Sequence, residues 1–164
     1  MAAIPIDDEG RFAGYASVFD RLDEAGDLVM PGAFAKSLAR RGASKLRMLF
    51  QHDPREPIGT WETVREDAVG LWAEGRLIAG VPRADALRRL IEKRAIDGLS
   101  IGFRTTRATR EAASGHRRLW AIELWEISIV TFPMLAEARI ASRSGLRPAR
   151  DEAALRAAIS LFKQ

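Results

Sequence analysis

Apolar positions recur with a period of two through most of this chain and with a period near 3.6 in three short stretches. Residues 11–19 (RFAGYASVF) place Phe12, Tyr15 and Val18 in a β-rich setting and predict an opening strand. The polar run 20–27 (DRLDEAGD) reads as a loop. Pro31 and Gly32 then precede AFAKSLARR, where Phe34 and Leu38 suit a short helix. Residues 46–52 (LRMLFQH) alternate Leu46, Met48, Phe50 and His52 against Arg47, Leu49 and Gln51, which predicts a strand with a histidine at its end. Between 57 and 78, PIGTWETV and GLWAEGRLI flank the polar turn REDAV and read as a hairpin. The period changes at 82–94, where Ala84, Leu87, Leu90 and Ile91 share a helical face, and Asp97-Gly98 ends that helix. Leu99, Ile101 and Phe103 alternate with Ser100, Gly102 and Arg104 in a further strand, and 105–114 reads as a polar connection. The longest β-like run, 119–131, is stopped by Pro133. Residues 151–163 form an amphipathic pattern with Leu155, Ala158, Ile159 and Phe162 as its stripe.

Six or seven strands with two or three helices and short turns predict a mostly β fold with flanking helices, an α+β single domain. Antiparallel connections favour a β-barrel, or a strongly curled sheet, with the helices packed outside it. The 164 residues match one domain, divided here into a barrel over 1–141 and a C-terminal loop and amphipathic helix over 142–164.

Composition narrows the chemistry. The absence of cysteine excludes disulfides, thiolate metal sites and cysteine nucleophiles, and two histidines, His52 and His116, argue against a multi-histidine metal centre. Nothing in the chain calls for a cofactor. The pI near 10.1 suggests nucleic acid, yet 26 basic against 22 acidic residues leave only +4, and the surplus is arginine scattered along the chain. That balance argues against a nucleic-acid-binding surface. No apolar run reaches the 18 or so residues of a membrane span, and MAAIPIDDEG has no signal-peptide core, which predicts a soluble cytoplasmic protein.

A nucleophilic mechanism must then use serine or threonine with a histidine as base. His52 stands where the chain leaves a strand at Asp53-Pro54; it either hydrogen-bonds locally at a strand end or serves as a base at the rim of a sheet. Ser100 projects between Gly98 and Gly102, so the glycines either give the sheet its curvature or leave room for a substrate backbone. Glu126 lies in a run too apolar for a free surface strand and needs a partner, either an imidazole N–H or an arginine such as Arg104 or Arg118. Glu123 on the opposite face competes with it. His116, in a polar turn between Gly115 and Arg117, reads as solvated. The aspartates 20, 23, 27 and 53 lack the spacing of a calcium loop.

Taken in order, these segments resemble the prohead (capsid maturation) serine proteases of tailed bacteriophages, of the HK97 type. The matching pieces are GYASVF (14–19), GDLVMPGAF (26–34), MLFQHD (48–53), PIG (57–59), GLSIGF (98–103) and EISIVTFP (126–133). The resemblance implies a closed β-barrel surrounded by helices, like the related herpesvirus assembly proteases. It implies a serine endopeptidase that cuts the scaffolding part of the major capsid protein, and itself, inside the immature procapsid in the host cytoplasm. It also implies roles: Ser100 of LSIGF as nucleophile, His52 of QHD as general base, and Glu126 before SxVxxP as the third member. The herpesvirus relatives use a second histidine in that third role, which keeps His116 as an alternative. A homodimer follows from the herpesvirus analogy alone, with the helical stripes at 84–94 and 152–162 as the available faces. Gene-transfer agents, phage-derived particles of bacterial chromosomes, carry homologues too. The rival reading is an inactive capsid-assembly protein with the same fold. Only 24 residues follow Ile140, fewer than the long C-terminal region associated with packaging into the procapsid.

Overall fold

The computed structural model describes residues 5–141. The amphipathic pattern at 151–163 and the proposed C-terminal unit over 142–164 lie outside the described residues.

Among these residues the chain forms β1 (Arg11–Val18), β2 (Asp27–Val29), α1 (Ala35–Arg41), β3 (Arg47–Phe50), β4 (Asp53–Glu66), β5 (Gly70–Leu77), α2 (Pro82–Glu92), β6 (Gly98–Arg110) and β7 (Arg117–Val130). The β4–β5 hairpin turns at Asp67, whose carboxylate accepts the N–H groups of Val69 and Gly70 and the hydroxyl of Tyr15. Helix α2 starts with proline in its first turn, where a missing N–H costs nothing. Its Ala84, Leu87 and Ile91 are buried in the protein's own core, and of the predicted stripe only Leu90 stays exposed.

All seven strands belong to one curled sheet, in the order β1-β5-β4-β3-β7-β2, with β6 on the other edge of β7. Most neighbours are antiparallel, but β2 and β3 both run parallel to β7, at its start and near its end. Between them the free edge of β7 is satisfied from α1 and the residues before it: Ile122 N–H donates to the Ala33 carbonyl and Leu124 N–H to Ser37 Oγ. The side chains facing the inside of the curl, among them Phe12, Phe34, Ile58, Leu71, Leu99 and Ile127, are almost wholly buried. Each contributes on the order of 1.5–3 kcal/mol by leaving water.

Three expectations change here. The polar stretch after Arg104 is strand, because β6 continues to Arg110 against β7. Its side chains are mostly exposed, so no apolar alternation marks it, and ladder hydrogen bonds with packing of Arg107 on Trp120 hold it instead. β2, only three residues long, is defined by its parallel partner rather than by its own pattern. The closed barrel is not what forms: no ladder joins β1 to β6, and the sheet is an open half-barrel. Residues 138–141 span the seam, with Leu99 N–H donating to the Ala138 carbonyl, Ile140 N–H to Asp97 and Ala141 N–H to Ala13. Gly14 permits that approach, since a Cβ there would lie 2.2 Å from the Arg139 carbonyl oxygen.

Candidate active site

The β6–β7 register sets Ser100 directly across from Ser128 and Gly102 across from Glu126. These residues share one face of the hairpin by simple alternation. Beyond Gly102 the register slips: Phe103 faces Leu124, so Trp125 is the extra residue of a bulge and is half exposed. Gly102 has a specific reason to be glycine. A Cβ there would stand 2.1 Å from Glu126 Oε1, so the Glu126 side chain occupies the space a side chain at 102 would need. Gly98 is likewise filled from across the strand, by the Val130 carbonyl and the Pro133 ring. The glycines flanking Ser100 therefore admit neighbouring groups of the protein, not a substrate backbone.

His52 is not on the face of a strand. β3 ends at Phe50, which pairs with Asp53, and Gln51 and His52 form the two-residue turn into β4. Both have left-handed φ, +54° and +58°, the pattern of a type I′ hairpin. Non-glycine residues adopt this backbone at a cost, and the turn is clamped to β7 to hold it. Gln51 N–H donates to the Ile129 carbonyl; its side-chain amide donates to Thr131 Oγ1 at 2.7 Å and accepts from Thr131 N–H at 3.2 Å. His52 N–H donates to Ser128 Oγ at 3.1 Å.

So held, the imidazole lies between two side chains of the hairpin. His52 Nδ1 is hydrogen-bonded to Glu126 Oε1, and Nε2 is 2.9 Å from Ser100 Oγ. A carboxylate only accepts, which puts the ring proton on Nδ1 and leaves the Nε2 lone pair to accept the Ser100 hydroxyl. This is the tautomer a general base needs. Glu126 Oε2 accepts the Ser128 hydroxyl at 2.7 Å. The Glu126 side chain is 13% exposed, that of His52 41%, and Ser100 as a residue 8%. The carboxylate is thus shielded while the ring edge and the hydroxyl stay reachable.

Beside them a pocket of about 230 Å³ opens in the seam between β1 and β6. Val18, Leu99, Phe103 and Leu135 supply apolar wall, and Asp23 and Asp27 line it as well. Arg117 holds the buried Asp27 through both carboxylate oxygens. Burial pushes the Asp23 carboxyl above its ordinary range, against hydrogen bonds from Asp27 and Ala25 N–H that lower it.

The other sequence candidates sit elsewhere. Glu123 is bound by Arg40, Arg41 and Arg104, the arginine pairing anticipated for one of the two glutamates. The Arg41 guanidinium, ahead of Arg104 and Arg40, holds its carboxyl below the usual range. His116 lies in the β6–β7 turn, at the opposite end of the hairpin from Ser100, with its N–H on Ser114 Oγ. Asp53 pairs with Arg55 at the surface. Ser128, Gln51 and Thr131 fall within the matching motifs, where nothing in the sequence alone marks a role for them. Ser128 does stand two positions from Glu126 and so on its face of the strand.

The curled half-barrel is a fold shared with solved viral proteases. It superimposes on the bacteriophage T4 capsid assembly protease, gp21, with a TM-score of 0.63 at 15% identity, over 81% of this chain and 90% of that one. A herpesvirus protease, that of KSHV in complex with a hexapeptide phosphonate inhibitor, gives 0.56 at 11% identity over 80% of this chain and 63% of that one. Sequence comparison is more specific. The family model described as caudovirus prohead serine protease matches residues 3–151, and the chain belongs to this family of capsid-maturation proteases. It is 37% identical to the prohead protease of Enterobacteria phage HK97 over 161 residues, 94% of this chain and 71% of that protein. With the prohead protease of Escherichia phage T5 it shares 30% over 124 residues, 75% of this chain and 58% of that protein. Among the described residues no helix is long and apolar enough to cross a membrane.

Proposed function

We propose that the chain is a serine endopeptidase that cleaves the scaffolding part of the major capsid protein, and itself, inside the procapsid. Ser100 is the nucleophile, His52 the general base and Glu126 the residue that orients and charge-balances the imidazole. The observation that carries this reading is the unbroken hydrogen-bonded chain from Glu126 through His52 to Ser100, beside a pocket.

The chemistry follows from the protons. His52 Nε2 takes the Ser100 proton as Oγ bonds to the scissile carbonyl carbon, and the imidazolium is stabilised by Glu126. Collapse of the tetrahedral intermediate breaks the C–N bond, and the departing amine takes the proton from Nε2. Water then attacks the acyl-serine with His52 again as base, releasing the acid and restoring the hydroxyl. The left-handed turn at Gln51-His52 supports this role, since the His52 imidazole lines the pocket from it, whereas a regular strand would stand that side chain perpendicular to the sheet.

The test is co-expression with the capsid precursor. Ser100→Ala should abolish precursor cleavage and self-processing while leaving circular dichroism and thermal unfolding unchanged. Processing at the wild-type rate in Ser100→Ala removes Ser100 from the reaction, and absence of processing with the wild-type chain makes the inactive assembly protein the better reading.

A further inference from the structure

We infer that Ser128 is a positioning residue for this reaction: held by the backbone N–H of His52, its hydroxyl donates to Glu126 and fixes the carboxylate that orients the imidazole. The inference rests on the roles proposed for Ser100, His52 and Glu126. Ser128 is 0% exposed and sits on β7 directly opposite Ser100. Its hydroxyl has one proton to give. The His52 N–H can only donate, and at 3.1 Å it takes a lone pair of Oγ. The Ser128 proton is therefore directed to Glu126 Oε2, 2.7 Å away.

Two consequences follow. Both carboxylate oxygens now have partners, Oε1 the ring N–H and Oε2 the hydroxyl, which removes the terminal rotation a single hydrogen bond would leave. The bonds also close a ring: His52 main chain, Ser128, Glu126, His52 imidazole. Main chain and side chain of one residue are thereby tied to the same strand, so the strained turn and the carboxylate are set in register. Gln51 and Thr131 clamp the turn too, but neither bonds Glu126 or the imidazole in the structure. Alanine at 128 deletes one buried oxygen and leaves Glu126 Oε2 and the His52 N–H without these partners, while Ser100, His52 and Glu126 all remain.

A fluorophosphonate probe reads this without knowledge of the cleavage site: Ser100 Oγ bonds to phosphorus, fluoride leaves and the serine proton passes to His52. For Ser128→Ala the maximal inactivation rate should fall about 10- to 100-fold, as for removal of a group that orients a reacting ligand. The half-saturating probe concentration should stay within about twofold, because Ser128 does not line the pocket. Ser128→Thr, which keeps the hydroxyl, should recover at least about a third of the wild-type rate. In the proton NMR spectrum of the Ser100→Ala protein, the downfield His52 Nδ1–H resonance should shift or broaden on adding Ser128→Ala. A Ser128→Ala rate within threefold of wild type, a fall carried by probe affinity, a threonine variant no better than alanine, or an unmoved Nδ1–H resonance each overturns the inference. Should Ser128→Ala not fold, Ser128→Cys, of similar volume and a weak donor, takes its place under the same criteria. If wild type reacts no faster than Ser100→Ala, the nucleophile assignment has failed instead, and the Nδ1–H resonance still decides the role of Ser128.

Discussion

Replacing Gly102 with alanine puts a methyl group where the Glu126 carboxylate now lies. The added Cβ would be 2.1 Å from Oε1 and 2.7 Å from both Cγ and Cδ. Carbon and oxygen settle at about 3.3 Å or more, so the carboxylate has to retreat by roughly 1 Å. The strand cannot give way instead, because Gly102 is locked in the β6–β7 ladder opposite Glu126. A 1 Å misplacement in a catalytic constellation costs about 100-fold in rate, or about 2.7 kcal/mol of barrier. Stability responds less. Overpacking costs about 1–3 kcal/mol, towards the low end for a side chain able to swing towards solvent, and removing a strand glycine returns about 0.5–1 kcal/mol. The expected pattern is a large loss of kcat/KM with unfolding within about 2 kcal/mol of wild type. The decisive measurement is the double variant with Glu126→Ala. If the methyl acts by moving the carboxylate, Gly102→Ala adds nothing once that carboxylate is gone, and the double variant matches Glu126→Ala alone. A further 100-fold loss in the double variant, or a single variant within threefold of wild type, refutes the reasoning.

Two more predictions concern residues outside the hydrogen-bonded chain. Glu123→Gln should leave cleavage unchanged, since Glu123 is bound by three arginines and bonds neither His52 nor Ser100. Its carboxyl is depressed in the folded protein, foremost by Arg41, so the stability it adds is present above the ordinary carboxylate range and lost as pH falls through its folded value. The Tm deficit of Glu123→Gln should therefore be full at pH 7 and close on acidification; a deficit independent of pH, or a loss of activity, contradicts the assignment. Ser37→Ala leaves the buried Leu124 N–H without an acceptor and should lower unfolding stability by about 1–3 kcal/mol in denaturant titrations, with no change in midpoint counting against that accounting.

The chain's own pattern was enough for the β-rich class, the β4–β5 hairpin, α2 and the long β7. Each depends on local periodicity or on turn chemistry within a few residues. For Ser100, His52 and Glu126 the residues by themselves leave a structural reading open beside the chemical one, and it is the ordered resemblance of their motifs to the prohead proteases that implies their roles. What the pattern misread were features that depend on a partner far away in sequence. The polar half of β6 is a strand because β7 pairs with it, and β2 because three residues of β7 run alongside.

Only the tertiary structure brings the candidate residues together. The parallel pairing of β3 with β7 brings residue 52 to residues 126 and 128, more than seventy positions along the chain. A left-handed turn that local propensity disfavours is held there by the hydrogen bonds it donates to Ser128, Ile129 and Thr131. The open seam follows from the same cause: whether a curled sheet closes depends on what reaches its last two edges, and residues 138–141 fill only part of that gap. Periodicity reports which face of an element is apolar, and it carries no information on which distant edge that element will meet.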